Sequence, residues 1–141
     1  MSLDIIMGNM FSGKTSELIR QLKRYKIIGS KILVINSSQD TRSNEEVLKT
    51  HDNVTFKCLK TNSLLSILNE SLFQEAEVIA IDEAQFFVNL KAFAEECLLQ
   101  NKNVLMAGLD GDYKQRKFGE MLDCIPMADT VKKLKALCTK C

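Results

Sequence analysis

The sequence has few of the features that mark a linker, a membrane-spanning segment or a highly charged protein. It contains a single proline, Pro126, and no repeat or low-complexity tract, so nothing in it suggests a linker or a second domain. Its longest apolar runs, such as Ile32–Ile35 and Val78–Ile81, fall far short of the ~18 residues that a membrane span needs. The net charge of +1 argues against a protein that coats nucleic acid or an anionic membrane, although a local basic patch stays possible.

Targeting signals and a disulfide framework are also not expected. Met1–Asp4 has no basic region or cleavage site and leads directly into an apolar strand, so we predict a cytoplasmic protein without a signal peptide. The cysteine count of five is odd, which argues against paired disulfides in a reducing compartment. Three cysteines lie singly in apolar contexts and are predicted to be ordinary buried thiols: Cys58, Cys97 and Cys124. The other two form a Cys-x-x-Cys pair, Cys138 and Cys141.

What the sequence does contain is an alternation of short apolar runs and helical patterns over 141 residues, 45% of them hydrophobic. Such a chain can bury one core without a disulfide or a metal. The predicted strands are Leu3–Met7, Lys31–Asn36, Val54–Cys58, Val78–Ile81, Val104–Leu109 and, more weakly, Thr130–Leu137. The predicted helices are residues 14–28, Ser63–Phe73 with Ser63 as N-cap, and residues 89–100. Gly29 is predicted to end the first helix, and residues 37–52 to form a polar, turn-rich stretch.

This order predicts an α/β fold with a mostly parallel sheet covered by helices, because the strands are apolar throughout. Ligands of such sheets bind beyond the carboxyl ends of the strands. The polar residues that follow the strands are therefore the candidates for a functional site.

A phosphate-binding loop follows the first strand. The segment matches G-x-x-x-x-G-K-[ST] between a strand and a helix, as the motif requires, with the residues Gly8, Asn9, Met10, Phe11, Ser12, Gly13, Lys14 and Thr15. Its glycines let backbone N–H groups point at phosphates. Lys14 adds a point charge on the β- and γ-phosphates, and the Thr15 hydroxyl is a Mg²⁺ ligand. We therefore predict an ATP site that extends to Ser16, in a P-loop NTPase (RecA-like) fold.

A pair of carboxylates follows the strand Val78–Ile81. An apolar strand that ends in Asp82 is typical of P-loop proteins, where this carboxylate holds the Mg²⁺ shell. Glu83 is interpreted either as a second metal-shell or solvated carboxylate, or as a general base that takes a proton from an acceptor hydroxyl or from water.

Two polar elements follow the second strand. Asp40-Thr41-Arg42 would by itself suit a solvated turn, but after a strand of this sheet Arg42 could reach the phosphates and stabilise the transferring group. His51 is the only histidine, and a structural hydrogen-bonding role is the simpler interpretation.

Aromatic side chains lie just beyond two strand ends. Gln85-Phe86-Phe87 follows the acidic pair, and Tyr113 and Phe118 follow the strand Val104–Leu109. They either cover the core or form a flat slot for a planar base, in which Gln85 could offer its amide to a base edge.

Together these motifs resemble the type II thymidine kinases, the cytosolic cellular, bacterial and poxvirus-type enzymes. The resemblance runs from about Leu3 to Cys141 and rests on the ordered set G-N-M-F-S-G-K-T, D-T-R, T-H-D, I-D-E-A-Q-F-F, G-L-D-G-D-Y-K-Q-R-K-F-G and C-T-K-C. It implies transfer of the γ-phosphate of ATP to the 5′-hydroxyl of thymidine or deoxyuridine, with Mg²⁺. It also implies a homotetramer.

The resemblance further implies roles for individual residues. Glu83 corresponds to the catalytic base, Asp82 to the metal-shell carboxylate, and Asp40 and Arg42 to the phosphate-side D-x-R element; Lys14 and Arg42 join Glu83 as catalytic residues. The implied nucleoside pocket contains Met10, Gln85, Phe86, Tyr113 and Phe118. The implied zinc ligands are Cys138 and Cys141, half of a four-cysteine structural site.

This chain departs from the family pattern at four places. Asn9 stands where the family usually has proline, Ala84 where it has glycine, and Tyr113 where it has phenylalanine. The added hydroxyl of Tyr113 needs a partner, which bears on base preference. The fourth departure follows Cys141, where the family continues into a flexible lasso that closes over thymine and supplies the second cysteine pair. Residues 1–137 are accordingly expected to form the kinase domain and residues 138–141 to begin the zinc-binding region of a longer chain.

Two other classes of protein suit parts of the pattern. The ATPase core of a nucleic-acid-dependent motor also combines Gly-Lys-Thr with an acidic pair, and there Glu83 would activate water. A motor normally needs a second lobe and a basic strand-binding track, which this chain does not provide. A non-catalytic nucleotide sensor would not need Glu83 beside Asp82. The aromatic segment Tyr113–Phe118 favours the kinase, and no nucleic acid or membrane partner is expected.

Overall fold

A single sheet of seven strands organises the computed structural model, which describes residues 1–8, 14–37, 47–49, 55–109 and 120–134. The spatial order is β3-β4-β2-β5-β6-β1-β7, and every neighbouring pair is parallel except β3–β4. The strands are β1 (Ser2–Gly8), β2 (Ile32–Ser37), β3 (Val47–Lys49), β4 (Thr55–Thr61), β5 (Val78–Ile81), β6 (Asn103–Leu109) and β7 (Thr130–Leu134). The predicted α/β fold with a mostly parallel sheet is confirmed.

Helices cover both faces of this sheet. The α-helices of the described segments are α1 (Lys14–Ile27), α2 (Ser71–Glu75) and α3 (Leu90–Leu99), and short 3₁₀-helices occupy Leu65–Ile67, Ala84–Phe86 and Met121–Met127. One core layer packs α1 against the sheet through residues such as Leu18 and Leu22. The other packs α2, α3 and Met121–Met127 on the opposite face, with the rings of Phe73 and Phe93 5.6 Å apart. No helix in the described part of the chain has the length and apolar character to cross a bilayer.

Helix α1 confirms the predicted helix over residues 14–28. Leu18 and Leu22 are buried one turn apart on its sheet-facing side. Gly29 ends it as predicted, with φ at +84° and its N–H bonded to the Lys26 carbonyl at 3.1 Å. Few residues other than glycine adopt that backbone conformation without strain.

The predicted helix Ser63–Phe73 is wrong. The segment forms a 3₁₀-helix and, separately, α2, with Glu70 in an extended conformation between them. Ser63 caps neither helix, because the N-caps are Leu64 and Glu70. Its backbone N–H donates to the Thr61 hydroxyl at 3.0 Å instead. Local hydroxyl-to-backbone bonds of this kind compete with a continuous helix, and the leucine pattern alone could not show it.

Residues 37–52 also hold a strand that the sequence did not predict. β3 pairs antiparallel with β4, with Leu48 opposite Phe56, at one edge of the sheet. The three residues of β3 stand among polar neighbours and are too few to produce a recognisable period.

At the other edge of the sheet, β7 ends at Leu134, and the residues beyond it lie outside the described part of the chain.

Candidate functional site

The carboxyl ends of β1, β6 and β5 form one edge of the sheet, and the predicted site residues that the structure describes lie at this edge. Gly8 is the last residue of β1 and pairs with Leu109 of β6, while Ile81 of β5 pairs with Met106. β6 therefore lies between the phosphate-loop strand and the strand that ends in Asp82. Two strand spacings separate them by ~10 Å.

The described residues on either side of the phosphate-loop motif are the end of a strand and the start of a helix, as the motif requires. Gly8 is buried at the end of β1, and α1 begins at Lys14, whose side chain is half-buried. Thr15 and Ser16 follow in the first turn of α1, where helix N–H groups have no intrahelical acceptor. Asn9, Met10, Phe11, Ser12 and Gly13 lie outside the described residues.

Asp82 is fixed to the sheet just beyond β5. Its backbone N–H donates to the Ile35 carbonyl of β2 at 3.1 Å, and its Oδ1 accepts the N–H of Glu83 at 3.0 Å. The half-buried carboxylate is an oxygen ligand of the kind that Mg²⁺ prefers, and Mg²⁺ usually needs only one or two carboxylates beside phosphates and water. A larger group of metal-ligating side chains does not occur among the described residues.

Glu83 occupies a left-handed backbone conformation, with φ 52° and ψ 46°. This conformation costs a non-glycine residue roughly 1–2 kcal/mol. The short helix Ala84–Phe86 follows at once, closed by Phe86 N–H to the Glu83 carbonyl at 3.1 Å and Phe87 N–H to the Ala84 carbonyl at 3.2 Å. The chain thus turns sharply out of β5 at Glu83, and strain at such a position is characteristic of functional sites.

Gln85 and Phe86 face different surroundings within that turn. Gln85 is only 4% exposed, and its Nε2 donates to Glu83 Oε2 at 2.7 Å. Phe86 is 41% exposed. The structure therefore places the Gln85 amide against the carboxylate of the candidate base, Glu83. The Phe86 ring is exposed enough for a ligand to reach.

Gly108, the first residue of the motif G-L-D-G-D-Y-K-Q-R-K-F-G, belongs to this site, although no role was predicted for it. A Cβ at this position of β6 would lie 2.6 Å from Gln85 Oε1, 3.1 Å from Met121 Sδ and 3.2 Å from the backbone nitrogen of Ala84. The bare backbone of Gly108 lets the Gln85 amide pack against the sheet. A glycine inside an otherwise apolar strand was the available signal, because it often marks a close approach.

The remaining predicted site residues lie outside the described part of the chain. They are Asp40, Arg42, Tyr113, Phe118, Cys138 and Cys141, and the histidine, His51, lies there too.

The three cysteines predicted to be buried thiols are confirmed as such: Cys58, Cys97 and Cys124. Burial raises the pKa of the Cys97 thiol to about 12 and is the main reason that the pKa of the Cys124 thiol rises to about 11. Protonated, apolar-packed thiols of this kind do not suit a zinc site, which takes thiolates.

Comparison with known proteins gives matches along the whole chain. The family described as thymidine kinase matches residues 1–141. A thymidine kinase of myxoma virus (strain Uriarra) is 41% identical over 139 residues, which cover 99% of this chain and 76% of the viral protein. Thymidine kinase a of Arabidopsis thaliana is also 41% identical, over 99% of this chain and 60% of the plant protein. Cytosolic thymidine kinase of Cricetulus griseus is 40% identical, over 99% of this chain and 58% of that protein.

The fold also matches solved structures. Domain III of the Thermotoga maritima replication initiation protein DnaA aligns with 94% of this chain and 54% of its own at a TM-score of 0.51. The sequence identity of 15% makes this a likeness of fold alone.

Proposed function

Because the chain belongs to the thymidine kinase family, we propose that it transfers the γ-phosphate of ATP to the 5′-hydroxyl of thymidine or deoxyuridine. The structural observation that carries this proposal is the Asp82–Glu83 pair at the end of β5, on the same sheet edge as Gly8 and the start of α1. A phosphate donor at the loop and an acceptor hydroxyl at the carboxylates would meet there. A nucleic-acid-dependent motor is not favoured, since the whole chain matches the kinase family.

In the proposed reaction the 5′-oxygen of the nucleoside forms a bond to the γ-phosphorus, and the bond from that phosphorus to the β,γ-bridging oxygen breaks. The Glu83 carboxylate takes the proton of the 5′-hydroxyl, and ADP leaves. Lys14 and N–H groups at the start of α1 neutralise charge on the phosphates. Asp82 and the Thr15 hydroxyl would hold Mg²⁺, which supplies further charge neutralisation at the phosphates when bound.

A nucleoside panel with ATP and Mg²⁺ tests this proposal on the intact protein. We expect monophosphate formation from thymidine or deoxyuridine. The variant Glu83→Gln should lower kcat by ~10²- to 10⁴-fold while ATP binding persists, because the general base is lost and the phosphate loop is intact. Glu95→Gln, at an exposed carboxylate on α3, is the matched control and should leave kcat unchanged. Near-native turnover in Glu83→Gln would remove Glu83 from the role of base.

The roles of the other predicted residues are part of the same proposal. Asp40 and Arg42 act on the phosphate side, and Met10, Phe86, Tyr113 and Phe118 line the nucleoside pocket. Their support is the match to the thymidine kinase family, which covers residues 1–141 and so includes these positions.

We also propose a cytoplasmic homotetramer in which Cys138 and Cys141 supply two of the four thiolates of a structural zinc site. Sedimentation of the intact protein as a monomer would contradict the tetramer. Zinc content unchanged in the variant with Cys138→Ser and Cys141→Ser would contradict the zinc site.

A further inference from the structure

We propose that Gln85 is a positioning residue for Glu83 and does not read a base edge. This inference rests on the proposed function, in which Glu83 is the general base. Three observations on the described residues carry it: the hydrogen bond between the two side chains, the burial of Gln85, and the backbone conformation at Glu83.

The hydrogen bond fixes the orientation of the Gln85 amide. Nε2 lies 2.7 Å from Glu83 Oε2. An ionised carboxylate only accepts hydrogen bonds, so the nitrogen end of the amide has to face it. Reading a base edge with a glutamine uses an N–H and the C=O together. Nε2 has a second N–H, so the placement of Oε1 decides whether the amide can do this.

Burial fixes the other end of the same amide. Gln85 is 4% exposed, and its Oε1 occupies the space that a side chain at position 108 would fill, 2.6 Å from where a Cβ of Gly108 would lie. The amide is therefore held between the carboxylate of Glu83 and the backbone of β6. A side chain packed in this way cannot turn toward a ligand without opening the turn Ala84–Phe86.

The backbone at Glu83 explains why a positioning contact is needed. The left-handed conformation takes Glu83 out of line with β5, so the strand itself does not orient its side chain. Gln85, two residues on in the short helix, supplies a fixed donor to one carboxylate oxygen. Misplacement of a catalytic group by about 1 Å can cost ~10²-fold in rate, so loss of this contact should appear in turnover.

The variant Gln85→Met tests the inference kinetically, because it keeps the volume and removes the N–H. We expect kcat for thymidine to fall by ~10- to 100-fold while the KM for thymidine stays within about 2-fold. In a Glu83→Gln background, Gln85→Met should cause no further loss, since it acts through Glu83. A large rise in KM with kcat unchanged, or an additive loss in the double variant, would overturn the inference.

The chain offers a matched control for the kinetic test. Gln100 donates from Nε2 to Glu96 Oε1 at 3.0 Å, an exposed Gln–Glu pair at the end of α3 and away from the site. Gln100→Met removes the same kind of contact and should leave kcat and KM unchanged. Thermal unfolding of Gln85→Met and Gln100→Met separates loss of folded protein from loss of rate.

A second readout does not depend on kinase activity. The side-chain amide signals of Gln85 in an NMR spectrum are identified by their loss in Gln85→Met. Glu83→Gln should shift them, because the carboxylate acceptor is gone, and unchanged signals would overturn the inference. A protein whose signals shift but which does not phosphorylate thymidine or deoxyuridine would instead refute the proposed function.

Discussion

Lys14 is the first residue of α1, and its half-buried side chain lies at the carboxyl edge of the sheet. The variant Lys14→Met keeps the aliphatic stem and removes the positive charge proposed to act on the β- and γ-phosphates. We expect kcat with ATP to fall by ~10²- to 10³-fold, as is typical when one electrostatic stabiliser of a transition state is lost. Steady-state kinetics give the result, and Lys23→Met on the same helix is the matched control. Equal rates in the two variants would contradict the role given to Lys14.

The sequence predicted this residue and the carboxylates of Asp82 and Glu83 as site residues because polar side chains directly after strand ends are the candidates in such a sheet. It could not identify how Gln85 is used. A glutamine at this position can hydrogen-bond to a base edge or to a neighbouring carboxylate, and the sequence is the same in both cases. The contact with Glu83 and the close approach of Gly108 depend on how a turn packs on a strand, which no local pattern encodes.

At the scale of elements, the contact between β6 and the turn Ala84–Phe86 gives a further prediction. Gly108→Val places methyl groups where Gln85 Oε1, Met121 Sδ and the Ala84 backbone lie, and should lower the free energy of unfolding by ~1–3 kcal/mol. It should also lower kcat per folded molecule, because the Gln85 amide is displaced from Glu83. Urea unfolding and kinetics on the same sample measure both effects.

Gly29→Val is the control for that experiment. Gly29 has nothing within 4 Å of a built Cβ, but its φ is +84°. Valine there strains the backbone and should lower stability without changing kcat per folded molecule. An unchanged kcat per folded molecule in Gly108→Val, as in Gly29→Val, would show that Gly108 affects activity through stability alone.

The elements themselves were predictable to unequal degrees. The strands β5 and β6 and the helices α1 and α3 follow from apolar runs and a helical period because they are long enough or fully buried. The segment Ser63–Phe73 has a helical leucine period, yet buried Ile67 and Phe73 belong to two separate short helices. Tertiary packing and local hydroxyl contacts decide such a segment, and periodicity does not report them.

At the scale of the whole molecule, an ion-pair group joins α1 to the edge strand β7. Glu17, 11% exposed, accepts hydrogen bonds from Arg20 on its own helix and from Lys132 on β7, the latter at 3.0 Å. Hydrogen bonding from Arg20 is the main reason that the pKa of the Glu17 carboxyl lies well below its ordinary value of 4.5. The native state therefore favours the charged carboxylate more than the unfolded chain does.

This predicts how stability depends on pH. Because the folded pKa is the lower one, the contribution of Glu17 is present above pH ~4.5 and is lost as pH falls further. Glu17→Gln should lower the free energy of unfolding at pH 7 by about 1 kcal/mol or less per ion pair, since the partners are exposed. The difference from the unmodified protein should shrink below pH 4. Urea unfolding at pH 7 and below pH 4 measures this difference, with Glu75→Gln as control. A difference in the free energy of unfolding that grows as pH falls would contradict the prediction.

The position of β1 in the sheet has a consequence for how the protein is made. β1 is the first strand in the chain, but its neighbours are β6 and β7, and Asp4 pairs with Thr130. During synthesis from the N-terminus, the first strand must wait while about a hundred residues emerge before either neighbour exists. Closure of such non-local pairings is slow, and the unpaired edges are open to aggregation meanwhile. The strand that leads into the phosphate loop is thus enclosed only after β6 and β7 have been synthesised, so a nascent chain gains its nucleotide site later than its first strand.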